Sequence, residues 1–294
     1  MAMRTTTLLR KLLKQPGIIV APGAHNAFTA KIIEQTGGFH AVYMTGSGTT
    51  MSLIGEPDIG LLTMTEMVTQ ARNLANAVKL PVIADADTGY GNAINVARTV
   101  REFERAGVAA IHLEDQITPK KCGHFEGKQV VSLDEMIGKI QAAVDAREDP
   151  DFILIARTDA RAVLGFEQAV ERAHAYVEAG ADVIFFEAPQ SLEELQTIVQ
   201  SISAPIMVNM DEGTKTPLLT VSELNGMGFK IVIYPRSAPC AAAKTIQELM
   251  ELLKETGTTK GFLDRIVTFE GRNRITGLAR YKEMEKKYLS REQP

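Results

Sequence analysis

The stretch AGVAAIHLE (106–114) joins a helix-ending glycine directly to an apolar run that stops on a carboxylate. The same junction returns as TGGFHAVYM (36–44), AGADVIFFE (179–187) and MGFKIVIYP (227–235), and a second kind appears twice, as LPVIADAD (80–87) and APIMVNMD (204–211). Glycine just past a helix accepts the left-handed conformation that closes it. The runs that follow are apolar throughout rather than alternating, as a parallel strand buried on both faces must be.

Working outward, eight such runs can be counted: 17–24, 39–48, 81–89, 108–116, 152–160, 181–188, 205–213 and 230–238. Between most of them lie helix-opening signals. Thr63 with Glu66, Ser132 with Glu135, Ser191 with Glu194 and Thr220 with Glu223 each fit the S/T-x-x-E capping box. After Thr63 the apolar positions Met64, Met67, Val68, Ala71, Leu74, Ala75 and Val78 keep helical spacing. Strand and helix alternating eight times, about thirty residues apart, predict an α/β fold of the (β/α)8 TIM-barrel type. A doubly wound open sheet fits less well, because no G-x-G-x-x-G opens a helix and no P-loop occurs.

No Pro/Ser-rich linker interrupts the chain, so 1–294 reads as a single barrel domain in which 241–294 forms a C-terminal helical extension. That extension, with AAAKTIQELMELLKE and the charged LARYKEMEKKYLSRE, holds more helix than a barrel needs and suggests a role in subunit contacts. At the other end, MAMRTTTLLRKLLKQ is basic, but the run after it is too short and too rich in Gly and Pro for a signal core. Leu8, Leu12 and Leu13 give that segment an amphipathic face suited to capping the barrel floor.

The 294 residues are 45 % hydrophobic and 23 % charged with a net charge of −4, and no basic block stands out. Nucleic acid and membranes are therefore not expected partners. Two cysteines, Cys122 and Cys240, imply no disulfide framework and fit a reducing cytoplasm.

A barrel of this kind builds its site at the carboxyl ends of its strands. Those ends read Tyr43, Thr45, Gly46 and Ser47; Asp85 and Asp87; His112, Glu114 and Asp115; Arg157 and Asp159; Glu187; Asn209; and Arg236. Any one of these has a bland structural reading, Arg157 with Asp159 as an ion pair for example. The whole ring does not. Asp85, Asp87 and Glu114 converging in a cleft would repel one another without a cation, and all-oxygen ligands suit Mg²⁺ or Mn²⁺. Asp58, in GEPDIG, is placed to reach the same cation through water. His25, His40 and His174 are too scattered for a zinc site and read as structural. In the loop PKKCGHFEGK (119–128), lysines and His124 surround Cys122 with positive charge, which lowers a thiol's pKa, and Gly123 and Gly127 suit a movable gate.

The motifs VYMTGSG, DADTGYG, HLEDQ, KKCGH, ARTDA, the strand end at Glu187 and VNM together resemble the isocitrate lyase/phosphoenolpyruvate mutase superfamily, over about residues 22–243. KKCGH is the most specific of them and points to the short-chain lyase branch. The resemblance implies Mg²⁺-dependent cleavage of a carbon–carbon bond in a 2-hydroxy di- or tricarboxylic acid, releasing an α-keto acid. It would place the metal on Asp85 and Asp87, with Asp58 and Glu114 assisting, and the keto-acid half on Tyr43, Thr45, Gly46 and Ser47. Arg157 would hold a carboxylate or oxyanion, Cys122 would protonate the leaving carbon, His124 and Glu187 would polarise or position, and Asn209 would bind a second carboxylate. Gly123 and Arg236 join the expected substrate contacts. The resemblance further implies a homotetramer, a dimer of dimers with a C-terminal helix exchanged between subunits. Oxaloacetate decarboxylation or hydrolysis, phosphonate rearrangement, or a non-catalytic binding barrel are the alternatives. One departure stands out: where the resemblance leads one to expect an arginine after the eighth strand, this chain has Pro239 and Cys240.

Overall fold

The structure is a computed structural model describing residues 3–123 and 125–289. Eight strands, β1 (Ile19–Ala24), β2 (Val42–Met44), β3 (Val82–Asp85), β4 (Ala110–Glu114), β5 (Ile153–Thr158), β6 (Val183–Phe186), β7 (Ile206–Asn209) and β8 (Ile231–Tyr234), close into a parallel barrel in sequence order. Ile19 pairs with Ile231 to complete the ring, and Asp85 lies opposite His112, with Glu114 opposite Arg157. The fold is the TIM barrel expected from the alternating runs.

The strands are shorter than those runs, because each run's polar end peels away from the ladder to build the rim. Around β2 the difference is largest. The run 39–48 contributes only Val42–Met44 to the sheet, and a helix begins at once, Gly46–Ile54. Thr45 caps it by accepting a hydrogen bond from the Gly48 N–H, so TGSG, read as a strand end, is a helix N-terminus.

Two layers of core hold the barrel. Inside, Ile19, Tyr43, Ile83, Ile153, Phe185, Met207 and Ile231 pack on one another, and Leu9 closes the floor from the helix Thr5–Lys14. Leu9, not Leu8, is that helix's fully buried leucine, with Leu12 and Leu13 beside it; Thr6 and Arg10 tether the helix to Asp149 and Asp182. Outside, Met67, Leu74, Phe103, Met136, Tyr176 and Ile198 cover the sheet. The full capping box forms at Thr63–Glu66 and Thr220–Glu223. Ser132 and Ser191 make only its first half, since Glu194 turns instead to Arg161. Gly107 ends its helix at φ 90°, as the junction requires.

By its contacts the chain divides into two compact units, Met1–Ala238 and Pro239–Pro294. The second contains most of the helix Ser237–Thr256, a 3₁₀ turn Lys260–Arg265, and the helices Phe269–Thr276 and Leu278–Tyr288. Arg265 stacks over Phe262 and pairs with Glu248, whereas Leu278–Tyr288 has no buried residue. Among the described residues no helix is long and apolar enough to cross a membrane.

Candidate active site

One cleft at the carboxyl ends of the strands gathers Tyr43, Thr45, Ser47, Asp58, Asp85, Cys122, Gly123, Arg157, Glu187, Asn209 and Arg236. Its free volume is only about 40 Å³, because Cys122 and Gly123 of the loop after β4 lie closed against it. A Cβ on Gly123 would come within 2.5 Å of both Arg157 Nη2 and Glu187 Oε1, and only glycine lets the loop backbone approach so near. Gly46 plays the same part on the opposite wall, where a Cβ would strike the Asp85 carboxylate.

Below the cleft lies a buried cluster of charge. His112 Nε2 shares a hydrogen bond of 2.8 Å with the Tyr43 hydroxyl and lies 3.5 Å from Asp85 Oδ1. Burial, reinforced by the Arg157 guanidinium, holds the imidazole well below its ordinary pKa, so it is neutral. Burial, with the Asp85 charge, also holds the Tyr43 phenol well above its ordinary value, so it keeps its proton. Asp85 accepts the Asp87 N–H at 2.9 Å, with Asp87 in the left-handed region at φ 47°. Lys120 reaches up from the loop to Asp58 Oδ1 at 2.6 Å and Asp87 Oδ1 at 3.0 Å, all three side chains nearly closed to solvent.

On the other side Arg157 binds Asp159 through Nε and Nη2 at 2.9 and 3.1 Å and faces Glu114 Oε2 at 3.3 Å. Arg157 and Lys128 overcome the desolvation of Asp159 and keep its carboxyl well below the usual range. Desolvation dominates at Glu114, whose carboxyl is pushed well above its usual value despite Arg157.

Asp85, His112 and Glu114 each offer a ligand atom, all within 4.8 Å of one another, and neither oxygen of Glu114 has a hydrogen-bond partner among the described residues, Oε2 having only the ion pair with Arg157. A buried carboxylate so poorly satisfied beside a second one is what a cation relieves, so these residues fit a metal ion. The donor set is oxygen-rich with one neutral imidazole.

The sequence profile of the phosphoenolpyruvate phosphomutase family matches residues 9–254. The chain belongs to the phosphoenolpyruvate mutase/isocitrate lyase superfamily. It is 52 % identical over 288 residues to 2,3-dimethylmalate lyase of Eubacterium barkeri, covering 98 % of this chain and 99 % of that one. To 2-methylisocitrate lyase of Aeropyrum pernix it is 47 % identical, over 97 % of this chain and 90 % of the relative. A crystal structure of a 2,3-dimethylmalate lyase superposes with a TM-score of 0.92 at 39 % identity, over 98 % of this chain and 96 % of that one.

Within this superfamily barrel, the residues expected to hold a metal fall into two groups. Asp85 and Glu114 face His112, while Asp58 and Asp87 share the ammonium of Lys120. His112 stands in the polar ring of the sequence reading without a role of its own, and Lys120 there serves only the electropositive setting of Cys122. A role for His112 was within reach, since it stands two residues before Glu114 on one strand and so shares its face. The lysines read as an electropositive setting for Cys122 point elsewhere: Lys120 to the carboxylates, Lys121 to the Gly127 carbonyl and Lys128 to Asp159. Cys122 itself is half-buried, and its N–H donates to the Asp58 carbonyl. Asn209 Oδ1 is buried with no hydrogen-bond partner among the described residues. Arg236 reaches the cleft but is bound to Asp211 Oδ1 at 2.5 Å and to the Glu212 carbonyl at 2.8 Å. His124 lies outside the described residues.

Proposed function

We propose that this chain is a Mg²⁺-dependent carbon–carbon lyase that cleaves a 2-hydroxy acid of the substituted malate or methylisocitrate type into an α-keto acid and a carboxylic acid. The observation that carries the reading is the juxtaposition of a cleft lined by a guanidinium and a thiol with an oxygen-rich candidate metal site at its base, the two sharing Asp85. The relatives named lyases support it.

Cleavage breaks the bond between the hydroxyl-bearing carbon and its neighbour. The hydroxyl loses its proton and becomes the keto group, while the electron pair passes to the departing carbon, where the adjoining carboxylate spreads it as an enediolate. A proton added to that carbon completes the second acid. In this reading Asp85 and Glu114 would hold the metal with His112 beside them, and Asp58 and Asp87 would assist. When bound, the ion supplies Lewis-acid charge next to the substrate's hydroxyl and carboxylate. Tyr43, Thr45, Gly46 and Ser47 bind the keto-acid half, with the Tyr43 phenol as a fixed donor and the N-terminus of the helix Gly46–Ile54 facing the anion. Arg157 lies where enediolate charge develops, and Glu187 positions it from 3.9 Å away. Cys122 delivers the proton, and closure of its loop excludes water. Gly123, Asn209 and Arg236 contact the second acid.

The same reading includes a cytoplasmic homotetramer, a dimer of dimers joined by exchanged C-terminal helices. The exposed Ile246, Met250, Phe269, Tyr281 and Tyr288, on helices with little to bury them, support it. A panel of substituted malates, methylisocitrate, oxaloacetate and phosphonopyruvate, with α-keto acid release as readout and EDTA as control, tests the function. Turnover of oxaloacetate or phosphonopyruvate alone, or full activity in EDTA, would refute it.

A further inference from the structure

We propose that Lys128 is a positioning residue that fixes the catalytic loop in its closed, reactive form. Its side chain is 2 % exposed, and its ammonium bridges two parts of the chain. One bond goes to Asp159 Oδ1, at 2.8 Å, on the barrel rim, and the other goes to the Gly123 carbonyl, back in the loop from which Lys128 itself emerges. Gly123 is the residue on which an added Cβ would strike Arg157 and Glu187, and it adjoins Cys122. The lysine therefore ties the place where the thiol is presented to the carboxylate that orients Arg157.

The anchor at the far end is rigid. The Asp159 N–H donates to Asp115 Oδ1 at 2.8 Å. Asp115 Oδ2 in turn accepts from Thr158 Oγ1, Tyr176 and Arg172, at 2.9, 2.8 and 3.2 Å. A buried network satisfied at each member holds its geometry, because no water competes for the donors. Gly123, the acceptor of the latch, and Gly127, next to Lys128, give the loop little stiffness of its own. Without an outside tie its backbone would sample many arrangements, and few would leave Cys122 over the cleft.

The inference rests on the reading of Cys122 as the acid, so the test has one arm that does not use turnover. In Lys128→Met, Cys122 should react with iodoacetamide about tenfold faster, the worth of one lost charge-assisted hydrogen bond. Mass spectrometry of the Cys122 peptide reads it, with the exposed Cys240 as internal standard. On the preferred hydroxy acid, kcat should fall about tenfold or more while KM moves less, since of the groups that bind substrate only Gly123 stands on the loop and the rest stand on the barrel. Lys128→Gln, which keeps a donor, should fall between the two and also serves if the Met variant does not fold. An unchanged Cys122/Cys240 ratio in folded protein would overturn the proposal whatever the kinetics. Faster alkylation with unchanged kcat would show a latch that does not serve the chemistry, and would overturn it as well. Faster alkylation in an enzyme inert toward every hydroxy acid would leave the latch standing and fault the lyase reading instead.

Discussion

The Lys120 ammonium stands 2.6 Å from Asp58 Oδ1, with both side chains shut away from water. It stabilises two carboxylates at once, for Asp87 Oδ1 is 3.0 Å from the same nitrogen. Lys120→Met removes that charge and leaves the acids facing one another. Breaking a buried pair from one side costs about 3–5 kcal/mol. The metal-free variant should lose stability of that order in urea unfolding, and Mg²⁺ should restore more of it than it adds to the wild type. Equal stability of variant and wild type without metal would rule out this role.

Proton competition at the same cluster sets a pH dependence. Burial raises the Asp87 carboxyl from 3.8 to about 6, against the opposing pull of Lys120. Between about pH 4 and pH 6 the folded protein therefore holds a proton that the unfolded chain releases. This group's contribution to metal-free stability is fully present below about pH 4 and is lost as pH rises through 6. Cation binding runs the other way, because the carboxylate is the form that attracts the ion. Affinity for Mn²⁺, followed by titration calorimetry, should rise from pH 5 to pH 7, and Asp87→Asn should reduce the slope by about one proton.

Gly46 is a sharper probe of the metal site than its size suggests. An added methyl would overlap the Asp85 carboxylate, and overpacking of this kind typically costs about 1–3 kcal/mol. In Gly46→Ala the carboxylate must turn away. Mn²⁺ affinity should fall by about tenfold or more while circular dichroism shows an intact barrel, since a misplaced ligand loses its coordination. Unchanged affinity would place Asp85 outside the coordination sphere.

How far the sequence could be read depends on the range of each interaction. Gly107 closing its helix, Thr63 bonded to Glu66 and the uniformly apolar β6 are local facts, written within a few residues, and each predicted its element. The helix Gly46–Ile54 escaped because its signal, a threonine cap followed by small residues, also describes a polar strand end. Lys120 escaped for a different reason. Its partner Asp58 is 62 residues away, and only barrel closure brings the loop after β4 over the segment after β2. Acidic strand ends announce a site, but which of them take a metal and which take an ammonium is decided by that tertiary approach. The cluster was legible; its division was not.

Cys122→Ser keeps the shape of the loop and replaces the thiol with a far weaker acid. Turnover should fall by on the order of 10²–10⁴-fold, the usual worth of a positioned general acid, while metal and product affinity change little. A serine variant close to wild-type turnover would remove the thiol from the mechanism.

The last prediction concerns which acid fits. A tricarboxylic substrate brings a carboxylate that must find a cation inside a narrow, closed cleft, and a buried unpaired carboxylate is costly enough to reject the molecule. Cys240, near where that cation would be expected, has no cationic group to offer. Arg236 is the nearest arginine in sequence, but its Nε already binds Asp211 at 2.5 Å and its Nη2 the Glu212 carbonyl. To take a substrate carboxylate it must share its charge with Asp211 or give up that pair. A dicarboxylate such as a methyl-substituted malate makes no such demand, so kcat/KM should favour it over methylisocitrate by about tenfold or more. Asp211→Asn supplies the complementary test, because it releases Arg236 from its partner. In that variant the ratio should shift toward methylisocitrate. A wild-type preference for methylisocitrate, lost in Arg236→Met, would instead show that Arg236 serves the third carboxylate despite Asp211.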